Sequence, residues 1–78
     1  MSDQEYSAAL LQALDTKIEV LDAQPNDLLA IGKALGLMEA KLLIHAKNLD
    51  ANSMSICFSD VAQRMRKYQS VVNEQISR

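Results

Sequence analysis

The sequence predicts an all-α fold, either a three-helix bundle or a helical hairpin followed by a further long helix. Three observations carry this. Apolar residues recur at alternating steps of three and four along nearly the whole chain. Helix breakers are scarce, with two Gly and one Pro in 78 residues. Two interruptions of the pattern divide it into three stretches. Such spacing keeps side chains on one face of a helix, and that face is buried against another helix.

The first stripe is Ser7, Leu11, Leu14, Ile18 and Leu21. It predicts a helix over about 3–22, capped by Ser2 or Asp3, with Glu5 near the positive end of the helix dipole. Asp15 and Glu19 are like charges four residues apart, mildly unfavourable alone, so a basic group should face them. Ala23-Gln24-Pro25-Asn26 is the clearest turn, because proline cannot continue a helix and disfavours helical geometry at Gln24. Asn26 is then a good N-cap, with Asp27 in the first turn. So short a connection makes the first two helices antiparallel neighbours.

The second stripe is Leu28, Ile31, Leu35, Met38, Leu42, His45 and Leu49. It predicts a helix over about 27–48, roughly 33 Å long at about 1.5 Å per residue. Gly32, Gly36 and Ala40 form a smooth strip beside it. Each glycine costs about 1 kcal/mol against alanine inside a helix, a cost most readily accepted where another backbone comes close. That backbone belongs to the same chain in the favoured reading and to a partner helix in the other.

Asp50-Ala51-Asn52-Ser53 is a break of a different kind, with neither glycine nor proline. The evidence is phase. The third stripe, Met54, Phe58, Val61, Met65, Tyr68 and Val72, is displaced by two residues from a continuation of the second, about 200° around a helix. The favoured reading is a turn and a third helix over about 54–76, capped by Asn52, Ser53 or Ser55. The alternative is one long helix whose apolar face changes sides. Leu14, Ile18, Leu35, Leu42, Phe58, Val61 and Met65 are the expected buried positions, within the chain or at a contact between chains.

Composition bounds the function. The length allows one domain, residues 1–78, with a limited core. Apolar residues make up 49% and aromatic ones 4%, so that core is aliphatic. No run of eighteen apolar residues offers a membrane-spanning helix. The polar, acidic start from Met1 to Glu5 argues against a secretory signal. The single Cys57 has no partner for an internal disulfide, and a reducing compartment, the cytoplasm, is the simplest setting. The net charge of −2 divides into −5 over residues 1–39 and +3 over residues 40–78, which suits helices of opposite character lying side by side.

No catalytic constellation, cofactor motif or metal-ligand spacing stands out, and the chain reads as non-enzymatic. His45 is the one histidine and sits in a stripe, where a polar residue can fix register or respond to pH. Cys57 reads as a small buried residue. Arg64, Arg66 and Lys67 form the one basic cluster, and they support the alternative of a regulatory nucleic-acid-associated protein. A mildly acidic chain does not recommend nucleic acid as the main partner. The surplus of ordered apolar faces points instead to contact with protein, another chain or a second copy. Gly32, Gly36, Ala40, Met38, His45 and Met65 are the candidate partner-binding residues.

The acidic amphipathic first helix, the turn Gln24-Pro25-Asn26-Asp27 and a second helix rich in Leu, Ala and Ile resemble the small helical hairpins of bacterial type III secretion, both needle subunits and their co-chaperones. The resemblance covers about residues 10–49; the third helix is additional to it. It implies binding to an export substrate or another chaperone through the apolar faces of the first two helices. The expected function is therefore a helical interaction module: a small adaptor, a chaperone or a self-assembling subunit.

Overall fold

The structure, a computed structural model, describes residues 2–24 and 26–77. Pro25, the proline of the expected first turn, lies outside them. Among the described residues there are three helices and no strand: α1 (Asp3–Asp22), α2 (Leu28–Lys47) and α3 (Ala51–Ser77). None is long and apolar enough to cross a membrane. The chain forms a narrow slab of 50 × 21 × 13 Å between Cα atoms. α2 packs against both α1 and α3, whereas the backbones of α1 and α3 do not approach each other closely.

Each helix starts at a side-chain cap that satisfies backbone donors the helix leaves unpaired. Ser2 Oγ accepts from the Glu5 amide at 3.1 Å. Asp27, not Asn26, caps α2, its Oδ1 accepting from the amides of Leu29 and Ala30 at 3.0 and 3.3 Å. Asp50 caps α3, rather than Asn52, Ser53 or Ser55: its carboxylate accepts from the Ser53 amide at 3.0 Å and the Ser53 hydroxyl at 2.7 Å. A carboxylate in each of these two places also favours the positive end of the helix dipole. Because Asp50 is the cap, α3 begins at Ala51, three residues earlier than the apolar stripe.

The break between α2 and α3 is a real turn, and its chemistry is unusual. The Leu49 amide donates to the Ala46 carbonyl at 3.0 Å, and the Asp50 amide to the His45 carbonyl at 2.9 Å. These are the paired bonds of a Schellman C-cap, whose central residue is left-handed and usually glycine. Here it is Leu49, with φ 56°. Leu49 is also 90% exposed, so the second apolar stripe stops short of its last member.

The core joins all three helices. Ile18 of α1, Ile31, Ala34 and Met38 of α2, and Tyr68 and Val71 of α3 form one buried cluster. Leu21, Leu35, Leu37 and Val61 pack against it. Two expected core residues are not there: Phe58 is 58% exposed and Met65 48%. The inward face of α3 is displaced by one position, so that Cys57 and Val71 are buried while Phe58 and Met65 turn outward. Leu14 and Leu42 are half-buried.

Replacing Leu49 with glycine removes a left-handed side-chain clash and sacrifices no buried surface. Leu49→Gly is therefore expected to stabilise the fold by about 1 kcal/mol, read as a raised midpoint in thermal or urea unfolding followed by circular dichroism.

Candidate functional site

The position of α3 is set by charge. α1 ends without a basic residue in its last turn, which leaves the negative end of its dipole uncompensated. α3 supplies the cations. Arg64 reaches Glu19 at 2.8 Å and Asp22 at 3.2 Å, and its Nε donates to Asp60 of its own helix at 3.0 Å. Lys67 meets Asp22 at 2.7 Å and lies within 3.5 Å of the Asp22 backbone carbonyl. Tyr68 donates its hydroxyl to the other Asp22 oxygen, and the Lys67 ammonium lies 5.8 Å from the Tyr68 ring centroid, within cation–π range. Lys41 of α2 pairs with Asp15. The like-charged Asp15 and Glu19 thus each face a basic group, as their spacing predicts.

This network explains the rotation of α3. Arg64 and Tyr68 must face α1 to reach Asp22 and Glu19, and that turns Met65 and Phe58 away. It also occupies the basic cluster. Of Arg64, Arg66 and Lys67, two are neutralised by carboxylates, and only Arg66 makes no ion pair among the described residues.

The pKa directions follow from the same contacts. Partial burial pushes the Asp22 carboxyl up, but hydrogen bonds from Lys67 and Tyr68 and the charges of Lys67 and Arg64 outweigh it, and the net shift is downward. Burial pushes the Tyr68 hydroxyl up to about 12, assisted by its bond to the Asp22 carboxylate. Hydrogen bonds from Ser53, and secondarily the charge of His45, hold Asp50 below its ordinary value.

The other candidates fall in different places. His45 is half-buried in a polar cleft at the α2–α3 turn, with Gln4, Ser7, Asp50 and Ser53. Cys57 is a buried free thiol. Among the described residues, no group of three His, Cys, Asp or Glu side chains could hold a metal ion. Met38, expected on a partner surface, lies in the core instead, because its helix face is the one shared by α1 and α3. Met65 is on the outer side of α3.

Gly32 and Gly36 lie on the back of α2, away from both neighbours. A Cβ built at either glycine would meet no atom within 4 Å. The expectation that they admit another backbone of the same chain is therefore overturned. They share this back with exposed Leu28, Leu29 and Leu43, the last two at 67% and 63% exposure. Ala40 is half-buried at its margin. Lys33 and Glu39 stand on the same exposed side, and neither makes an ion pair among the described residues. Towards α1 this surface falls into a mostly apolar groove lined by Val20, Leu21, Gly36 and Leu37, with Lys17 and Lys33 beside it.

Leu29 and Leu43 were legible in the sequence as apolar residues of α2 lying off its main stripe, whereas Leu28 is the stripe's first member and is exposed all the same. What the stripe could not tell is that no neighbour in the chain covers them. A helix back in a small bundle is ordinarily polar. Only five of the twenty α2 residues carry polar side chains: Lys33, Glu39, Lys41, His45 and Lys47.

Two expected outcomes follow. A carboxyl whose folded pKa is depressed contributes stability that is complete above its unfolded value and is lost as pH falls through the folded one. Stability should therefore drop as pH falls below about 4, the ordinary aspartate value. Asp22→Asn should flatten that drop and cost about 1.5–3 kcal/mol at neutral pH, as checked by urea unfolding across the acid range. Gly32→Ala and Gly36→Ala have room for the added methyl, so each should stabilise the monomer by about 1 kcal/mol, read by thermal unfolding at low protein concentration. Comparison with family models, with curated proteins and with solved structures finds no match to this chain.

Proposed function

We propose that this chain is a non-enzymatic helical protein–protein interaction module that docks through the open back of α2 and the groove beside it. The observation that carries the reading is the uncovered apolar back of a helix whose other sides already face two neighbours. Leu28, Leu29 and Leu43 gain nothing from exposure. Burying a leucine side chain contributes about 1.5–3 kcal/mol relative to leaving it in water, so covering two or three of them is a sizeable driving force. Exposed leucines at both ends of one helix face, with only Gly32, Gly36 and Ala40 along the line between them, suit an interaction site. The glycines add shape, since their missing side chains let a partner helix lie close.

An adaptor, a small chaperone or a self-assembling subunit all fit this surface. The resemblance of residues 10–49 to the hairpins of type III secretion adds export substrates and co-chaperones to the partner classes. A cytoplasmic setting suits the unpaired thiol of Cys57.

The test is a double substitution on the open face, Leu29→Glu with Leu43→Glu. Both side chains are exposed, so folding stability should move by no more than about 0.5 kcal/mol for each. Capture of a partner by the tagged chain from its native lysate should be lost, while the circular dichroism spectrum and melting temperature stay near those of the unaltered chain. Undiminished capture by the folded double variant would refute docking through this face.

A further inference from the structure

Resting on the docking reading above, we infer that the groove between α1 and α2 receives an amphipathic helix of another protein whose flanks carry carboxylates. Charge carries the inference. Val20, Leu21, Gly36 and Leu37 form an apolar bed with Lys17 of α1 and Lys33 of α2 beside it. Among the described residues no carboxylate lines this groove, and neither lysine makes an ion pair. Nor does either have a carboxylate three or four residues away along its own helix, the spacing at which a helix pairs its own charges. Two cations thus face one apolar channel without a counter-charge.

This is a reversal of sign for the acidic half of the chain. Lys17 is the one basic residue of α1. Asp15, Glu19 and Asp22 flank it in sequence but stand about 140–200° from it around the helix, at about 100° per residue. All three are engaged on that other side: Asp15 by Lys41, Glu19 by Arg64, and Asp22 by Arg64 and Lys67. Packing therefore sorts the later turns of α1 into an acidic flank that is neutralised and a second flank charged only by Lys17. Glu39, the one carboxylate of α2, lies about 120° around the helix from Lys33 and outside the groove. At the other end of the same helix pair, Tyr6, Leu10 and Ile44 line a cleft with one charge of each sign, Asp3 and Lys47. The positive character belongs to the end with Lys17 and Lys33.

Shape selects a helix as the occupant. The bed lies between two antiparallel helices, a seat into which a further helix can lay its apolar stripe. Gly36 leaves room for it, since a Cβ there would meet no atom within 4 Å. A membrane surface is too flat to reach side chains set between two helices. A second copy offers no matching segment. Among the described residues, the carboxylates without an ion pair are Asp3 and Glu5 in the first turn of α1, the caps Asp27 and Asp50, Glu39 and Glu74. None of the three helices presents free carboxylates spaced along an apolar stripe.

The probe is a synthetic peptide of about four helical turns, with leucines at steps of three and four and glutamates on both flanks. Its control carries lysines in place of the glutamates. Both are titrated into the isotope-labelled full chain and followed by amide chemical shifts. The glutamate peptide should bind about tenfold more tightly than the lysine peptide, with shifts centred on Val20, Gly36 and Leu37. Its affinity should fall as salt rises. Lys17→Glu with Lys33→Glu should reverse the preference. Both lysines are exposed and unpaired, so the melting temperature of that variant should stay near that of the unaltered chain.

Equal affinity for the two peptides, no binding of either, or a preference that survives the double variant would overturn the acidic-helix inference. So would a concentration-dependent dimer, or binding to vesicles of phosphatidylcholine with phosphatidylserine, that the double variant abolishes, because each puts a different occupant in the groove. Docking itself is judged separately. If capture of a partner is lost in Leu29→Glu with Leu43→Glu but kept in Lys17→Glu with Lys33→Glu, the docking face stands and only its acidic occupant is wrong.

Discussion

The structure depends on α2 being shared. α1 and α3 do not pack backbone to backbone, so most of the apolar burial in this small chain must pass through the middle helix. Ile31, Ala34 and Met38 sit at that junction, with Ile18 on one side and Tyr68 and Val71 on the other. A helix serving two neighbours needs a wide apolar surface, and a low count of polar side chains supplies one. The same composition leaves leucines on the side that no neighbour reaches. The open back of α2 is thus the remainder of a helix more apolar than two contacts require.

Charge completes what apolar packing leaves undone. α1 and α3 are held together through long side chains gathered on Asp22 and Glu19, and the helices run parallel at that contact, Glu19 meeting Arg64 and Asp22 meeting Lys67. These groups are partly exposed, and ion pairs in such positions are individually modest. Their effect on geometry is larger than their energy suggests. They fix which side of α3 faces inward, replacing Phe58 and Met65 by Cys57 and Val71. They also quench the basic cluster that would otherwise suggest a phosphate-binding surface. The open apolar back and the charged lock therefore lie apart: one on α2, the other between the ends of α1 and α3.

Much of this was legible in the chain itself. The steps of three and four, the scarcity of Gly and Pro, and the phase break after Leu49 together favoured three helices, with the first two antiparallel; that the second break is a turn rather than a continuous helix was settled by the fold. Ser2 as a cap and a basic neighbour for Asp15 and Glu19 were also readable, because both are matters of local spacing and charge. Tertiary structure alone decided the rest. Periodicity defines an apolar face only to within about one residue step of 100°, and the partners of Arg64 and Tyr68, over forty residues away in sequence, chose between Phe58 and Cys57. The α2–α3 turn escaped composition because Leu49 occupies a place where glycine is usual. The glycines of α2 could have served an internal contact or an external one. Only the placement of three helices, with two of them on one side of the third, left Gly32 and Gly36 facing outward.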